Sequence, residues 1–502
     1  AGRHALTGFC ATLAFSPFLP DPLMPTTAPT FLWHDYETFG LSPRSDRPAQ
    51  FAAIRTDADL NEIAPPIMLY CQPAPDYLPS PESCLLTGIT PQQCLAEGIP
   101  EHAFAAAIER ELAQAGTIGV GYNTLRFDDE VTRFLLWRNL IDPYAREWQN
   151  QCSRWDLLDL VRATYALRPE GIIWPQREDG LPSFKLGDLC AANGLLHEAA
   201  HDALSDVRAT LALARLIRDT QPALFAFYLK LRHKDEVHKQ LNLAQPRPLI
   251  HVSGQFGSAR GNLAVVWPLA AHPHHKNEVL VWDLAHSPAQ LPSLSPEAIR
   301  TRLFTKSSDL PEGVSRLPIK SIHLNKSPFV VNTLKVLTPE RALALGIDVE
   351  AALRHAEHAA ALPNLSAVWK AVYQKPAATL PPPDVDENLY GGFVSPADRR
   401  ALAHLRTLSP ADLAAAHPTF DDAQLTRLLH RYRARNFPDT LRPEEASRWR
   451  AWCRHKLDTG EPAGRTFAAF EAELATFAAT ADARTTPLLA ALAAYGAGLR
   501  AE

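Results

Sequence analysis

Residues 31–37, Phe-Leu-Trp-His-Asp-Tyr-Glu, set the terms for the fold: an apolar run that ends in two acids. A run of this kind reads as a strand buried on both faces, and its sheet then needs a covering layer on each side. Residues 50–55 read as the next strand, 67–70 as a third short apolar run and 118–122 as a fourth. Helical spacing is predicted over 104–113, 129–140, 155–165, 186–193 and 200–218, the last ending before Pro222. Strands alternating with helices in this way define an α/β domain.

After Pro222 the texture changes. Short β-like runs at 246–248, 250–252, 265–267, 279–282 and 319–322 are separated by Gly, Pro and Asn, which predicts a β-rich domain over 222–375. From Pro339 the chain becomes Ala-rich and helical. Residues 376–383 form a Pro-rich linker, and 384–502 read as an all-helical module. No repeat of fixed period is evident. At the other end, Arg3, His4 and the apolar run 5–18 loosely resemble a signal peptide, but Pro17, Pro20 and Pro22 interrupt it. Met24, just ahead of the first strand, reads as the natural start. Residues 1–23 are then a disordered extension, and 24–221 the α/β domain. No apolar run reaches the roughly 20 residues that cross a bilayer. The seven cysteines are odd in number and lack Cys-x-x-Cys spacing, which fits a reducing cytoplasm rather than a disulfide or zinc framework. A net charge of −5 does not exclude a nucleic-acid partner, but it confines any such surface to a local basic face.

Three signals carry chemistry. The first is Asp35-x-Glu37: side chains two apart on a strand share a face, so both carboxylates can enter one pocket. The second is Asn123-x-x-x-Phe127-Asp128, which follows a strand and opens a helix. The third is His201-x-x-x-x-Asp206 at the start of the long last helix. Each alone has an ordinary reading, as a solvated strand end, a helix N-terminal acid or a surface pair. In order, they supply four carboxylates and an imidazole. Carboxylate oxygens suit hard cations such as Mg²⁺ and Mn²⁺. Two such ions roughly 3.5–4 Å apart clamp the attacking and leaving oxygens of a phosphodiester displacement. A neutral histidine can take the proton of the attacking water. Spacing selects Asp128 over Asp129 and Asp206 over Asp202. The ordered set is the DEDDh exonuclease pattern.

Residues 31–40 (FLWHDYETFG), 46–56 (DRPAQFAAIRT), 86–91 (LTGITP), 121–132 (GYNTLRFDDEVT), 165–171 (YALRPEG), 180–184 (GLPSF), 251–254 (HVSG) and 432–438 (YRARNFP) together resemble bacterial exodeoxyribonuclease I. The resemblance covers the whole chain after residue 30. It implies a ribonuclease H-like exonuclease domain, an SH3-like β domain and a helical C-terminal domain. It also implies processive 3′→5′ release of 5′-mononucleotides from single-stranded DNA. Asp35, Glu37, Asp128 and Asp206 carry over as ligands of two Mg²⁺ ions, and His201 as the base. The family binds the acidic C-terminal tail of single-stranded DNA-binding protein, for which Arg168 and Arg247 are the basic candidates here. A monomer is expected.

A single-stranded DNA track needs basic groups and aromatic faces. Arg431, Arg433 and Arg435, beside Tyr432 and Phe437, have that composition, with interdomain packing as the alternative. The run at Lys230, Arg232, Lys234 and Lys239 is broken by acids and reads as a solvated face. Near the acids, Phe39, Thr87, Asn123 and Arg168 are candidates for contact with the substrate. Two other readings stay open: a 3′→5′ exoribonuclease, and a non-catalytic single-stranded DNA-binding scaffold.

Overall fold

The computed structural model describes residues 28–196, 202–374 and 383–501. The expected extension at 1–23, most of the linker and His201 lie outside them.

The first domain is built on strands β1 (Thr30–Thr38), β2 (Pro48–Thr56), β3 (Ile67–Tyr70), β4 (Thr117–Gly121) and β5 (Ser153–Asp156). Their order is β3-β2-β1-β4-β5; the pairs on the β3 side are antiparallel and those on the β5 side parallel. Helices α1 (Pro81–Thr87), α2 (Pro91–Glu97), α3 (Glu101–Leu112), α4 (Asp128–Arg138), α5 (Leu157–Leu167), α6 (Leu186–Ala192) and α7 (Ala203–Thr220) complete it. Alternation along β1 decides what packs where. Phe31 and Trp33 enter one core with Val207, Leu211 and Ala214 of α7. Leu32 and Tyr36 enter another, with Phe104 of α3 and Leu135 of α4. Both faces are covered, as the continuous apolar run requires. Trp155, expected in a helix, lies in β5 instead. Its ring stacks into the Phe31–Trp33 core, and the helix begins only after Asp156 caps it through the Leu158 N–H.

Helices α8 (Pro222–Lys230) and α9 (Lys234–Leu241) lead into the β-rich domain. There β6 (Leu249–Val252), β7 (Leu263–Ala271), β8 (Glu278–Asp283), β9 (Ile319–His323) and β10 (Phe329–Val331) form an antiparallel sheet of order β10-β6-β7-β8-β9. Residues 246–248 are not a strand. β10 is too short, at three residues, to show as an alternating pattern. Helices α10 (Pro296–Phe304), α11 (Pro339–Ala344), α12 (Val349–Ala360) and α13 (Ser366–Val372) belong to the same region. The last module comprises α14 (Pro396–Leu405), α15 (Pro410–Ala415), α16 (Gln424–Asn436), α17 (Pro443–Thr459), α18 (Phe467–Ala478) and α19 (Thr485–Ala501). No described helix is long and apolar enough to cross a membrane.

Candidate active site

The face of β1 that packs under α7 continues past Trp33 as Asp35 and Glu37. By then β4 has parted from β1, since their pairing ends at Trp33–Val120. The two carboxylates therefore emerge at the carboxyl edge of the parallel strands, where open α/β sheets place their ligands. Helix α7 is tied down at the same edge. Gln50 sits opposite Glu37 in the ladder, and its Oε1 accepts the Ala203 N–H at 3.1 Å. Asp202 caps the helix by accepting the Ser205 N–H at 3.0 Å. Asp206 then faces β1 from the first turn. Ligand oxygens of Asp35, Glu37 and Asp206 all lie within 4.8 Å of one another.

The fourth acid arrives from β4. The chain leaves the strand through Asn123, whose φ of 67° is left-handed. Gly121 is required just before it, because any side chain there would run into Thr124 and the His34 carbonyl. Asp156 holds this loop by accepting the Asn123 and Leu125 N–H groups at 2.9 and 3.2 Å. Asp128 thereby opens α4 with Oδ1 accepting the Tyr36 N–H at 3.2 Å, between the two strand acids in sequence. Its neighbour Asp129 turns the other way, into ion pairs with Arg146 (2.7 Å) and Arg154 (2.9 Å).

The electrostatics separate these two neighbours. Burial pushes the Asp128 carboxyl up to about 8. Burial also acts on Asp129, but the Arg146 and Arg154 guanidiniums outweigh it and hold that carboxyl below its ordinary range. Glu37 is pushed up to about 8 by burial and by the carboxylates of Asp206 and Asp128. Asp35 is raised well above its usual range by burial and by Asp128, Glu37 and Asp206. Among the described residues, no lysine or arginine forms an ion pair with Asp35, Glu37 or Asp128. Carboxylates packed this closely repel unless protonated or bridged by a cation. The donor set, all hard oxygens, fits a divalent ion.

A polar cleft of about 530 Å³ runs along the seam with the β-rich domain, lined on one side by the loop that leads to Asp128. Arg126, in the loop that delivers Asp128, lines it together with Lys320, Lys326, Asp156 and the Arg162–Asp159 pair (2.8 Å). His251, Ser253 and Gly254 form its floor from the β-domain side, and the Lys320 ammonium lies 2.7 Å from His251 Nε2. Burial pushes Lys320 down to about 7. Sequence reasoning missed these basic groups because they are scattered over three segments.

Other expected residues fall elsewhere. Phe39 is a correction: it is 1 % exposed, packed with Tyr77, Leu78 and Ile89, and has no face to offer a base. Thr87 ends α1, and its hydroxyl accepts the Ile89 N–H. Arg168 is half-buried and donates to the Val336 carbonyl at 2.9 Å; Arg247 is exposed. Arg431, Arg433 and Arg435 are a second correction. Arg431 pairs with Asp384 and Asp386, Arg433 with Glu445, and Arg435 with Asp76 and Asp386. Their guanidiniums are committed to carboxylates rather than to phosphates: Arg431 and Arg433 pair inside the helical module, and Arg435 ties it to Asp76 of the first domain.

Acids from a strand and two helix starts, of which Asp35, Glu37 and Asp128 have no lysine or arginine ion partner among the described residues, define a metal-dependent phosphodiesterase site. Family models match residue ranges 32–214 (Exonuclease), 232–375 (Exonuclease I SH3-like domain) and 383–499 (Exonuclease I C-terminal domain). Exodeoxyribonuclease I of Escherichia coli is 47 % identical over 420 residues, 84 % of this chain and 88 % of that protein. A solved exonuclease I from Methylocaldum szegediense superposes with a TM-score of 0.89 at 46 % identity, covering 94 % of this chain and 99 % of the other. The zinc-bound E. coli enzyme in complex with single-stranded DNA gives 0.88 at 44 %, covering 94 % and 100 %. This chain belongs to the exodeoxyribonuclease I family.

Proposed function

We propose that this chain removes mononucleotides from the 3′ end of single-stranded DNA, processively, by metal-assisted hydrolysis. One observation carries the reading: oxygens of Asp35, Glu37 and Asp206 lie within 4.8 Å of one another, with Asp128 on the same strand edge. These four would hold two Mg²⁺ ions, for which Mn²⁺ can substitute. When bound, the ions supply Lewis acidity and neutralise phosphate charge. The protein does the rest. His201, five residues ahead of Asp206, takes the proton from the attacking water. Asn123 and Thr87 stand as contacts for the terminal nucleotide. The strand then leaves along the cleft of Arg126, Lys320 and Lys326, a path that admits a flexible strand and excludes a stiff duplex.

Arg168 and Arg247 are proposed to receive the acidic C-terminal tail of single-stranded DNA-binding protein, since guanidiniums pair with carboxylates in bidentate fashion. We place the chain as a monomer in the cytoplasm, acting in DNA repair and recombination. The deciding experiment follows 3′- and 5′-labelled single strands, duplex DNA and RNA over time, with Mg²⁺ and with EDTA. Mononucleotides from the first time point, from single-stranded DNA and with Mg²⁺ only, are expected. Faster attack on RNA would make it an exoribonuclease. Tight DNA binding without cleavage would make it a scaffold, and internal cuts in a circular strand would end the exonuclease reading.

A further inference from the structure

We infer that the β7–β8 turn and β9 form a second cation site, for a zinc-class ion, on the β-rich domain and apart from the catalytic acids. The sequence there is His272-Pro-His274-His275-Lys-Asn-Glu278. His272 is 9 % exposed, and its Nδ1 accepts the backbone N–H groups of both His274 and His275 at 3.1 Å. Those two bonds use its lone pair, so His272 shapes the turn and is not a ligand. The turn is closed further by the His272 N–H on the Glu278 carbonyl (2.9 Å) and the Glu278 N–H on the His275 carbonyl (3.0 Å). It is stitched to β9 by the Leu324 N–H on the Asn277 carbonyl at 2.8 Å.

That framework brings unlike ligands together. Glu278 is the ladder partner of His323 on β9, and its Oε1 lies 3.6 Å from His323 Nδ1. Two ligand atoms at about 2.0–2.1 Å from a tetrahedral zinc ion stand roughly 3.3 Å apart. The pair is therefore already spaced close to one edge of such a site. His275, exposed on the turn with its ring 4.6 Å from that of His272, supplies the third ligand by side-chain rotation; His274 stands beside it. Two imidazoles and one carboxylate suit Zn²⁺, Co²⁺ or Ni²⁺ over Mg²⁺, which demands oxygen. The two sites on this chain thus differ in donor type. An ion here would pin the β7–β8 turn to the edge strand β9.

The test uses the full chain and Zn²⁺ alone as probe. Wild type is expected to bind one ion more per chain than the double variant Glu278→Gln/His275→Ala, while Mg²⁺-dependent hydrolysis of single-stranded DNA is the same in both. His275→Ala, which leaves both strands intact, should lower affinity for that extra ion at least tenfold. Crystals soaked in Zn²⁺ should show an anomalous peak between Glu278 and His323. Equal stoichiometry and affinity in wild type and the double variant, or no peak at that position, would overturn the site and reduce Glu278–His323 to a surface ion pair.

Discussion

Two buried clusters of charge lie in this molecule, and they are opposites. At the catalytic edge, Asp35, Glu37, Asp128 and Asp206 converge, and those whose charge is most perturbed are pushed towards the protonated form. At the seam with the helical module, Asp76 and Asp386 are as deeply buried but held well below the ordinary carboxylate range. Burial acts upward on both and is overcome by Arg435, with Lys456 at Asp76 and Arg431 at Asp386. Asp76 accepts from Arg435 and Lys456 at 2.8 and 2.9 Å, and Arg47 approaches Asp386 at 3.7 Å. The guanidinium of Arg431 also lies over Trp452, 4.3 Å from the ring centre. A cluster that neutralises itself is a clamp; one in which Asp35, Glu37 and Asp128 have no lysine or arginine ion partner among the described residues is suited to a ligand. The same contrast separates Asp128 from Asp129 within one helical turn.

The largest effect should come from the unneutralised cluster. Asp35→Asn is expected to lower single-turnover cleavage about 10³-fold or more, the several kcal/mol that metal charge stabilisation supplies. The melting temperature in EDTA should stay level or rise, because a repelling carboxylate is gone. A marked loss of stability would mean that Asp35 has a structural counter-charge and the contrast fails. Removing Asp76 should do the reverse. Asp76→Ala strands Lys456 and leaves Arg435 only Asp386, a loss of roughly 3–5 kcal/mol when a buried pair is broken. Turnover per folded molecule should be unchanged, as read by denaturant melts alongside active-site titration.

What was legible in the sequence follows the same division. Asp35 and Glu37 could be read because a strand repeats every two residues, and Asp206 because one helix start carries it. Asp128 could be told from Asp129 by spacing, although the reason, the Arg146 and Arg154 pair, appears only in the fold. The clamp could not be read. Arg431, Arg433 and Arg435 look like a DNA track because their partners are remote: Asp76 lies 359 positions from Arg435. Phe39 looks like a stacking platform because it is two residues from Glu37. The register shift between Glu37 and Thr38 ends the regular alternation there, and Phe39 lands in the core beneath α1. The three-residue β10 is set by pairing with β6, which no local pattern encodes.

A smaller effect is expected from pH. Glu37 and Asp128 stand at about 8 in the metal-free fold, above the roughly 4 of an unfolded carboxyl. The folded state then holds protons that the unfolded state has lost, so stability falls as pH rises through that interval. It is fully present below about pH 4 and lost by about pH 8. Mg²⁺ favours the ionised forms and should flatten the curve. Thermal melts from pH 5 to 8.5 in EDTA should decline more steeply than in Mg²⁺, and Glu37→Gln should lessen the difference. Parallel curves would show that the acids do not titrate against each other.

The smallest effect separates the two sets of arginines. Arg126 lines the cleft next to the loop that carries Asp128, is exposed, and forms no ion pair among the described residues. Arg433 is paired with Glu445. If the cleft carries the strand, Arg126 neutralises one phosphate and releases about 0.7 of a counterion, the value for single strands. Arg126→Ala should therefore reduce the slope of log affinity against log salt by just under one, with affinity lower at low salt and converging on wild type as salt rises. Arg433→Ala should leave that slope alone and shift only the melt. The readout is fluorescence anisotropy of a labelled single strand across a salt series in Ca²⁺, which keeps the oligonucleotide intact. A slope change in Arg433→Ala and none in Arg126→Ala would move the track from the β-domain seam to the helical module, and with it the division between neutralised and unneutralised charge.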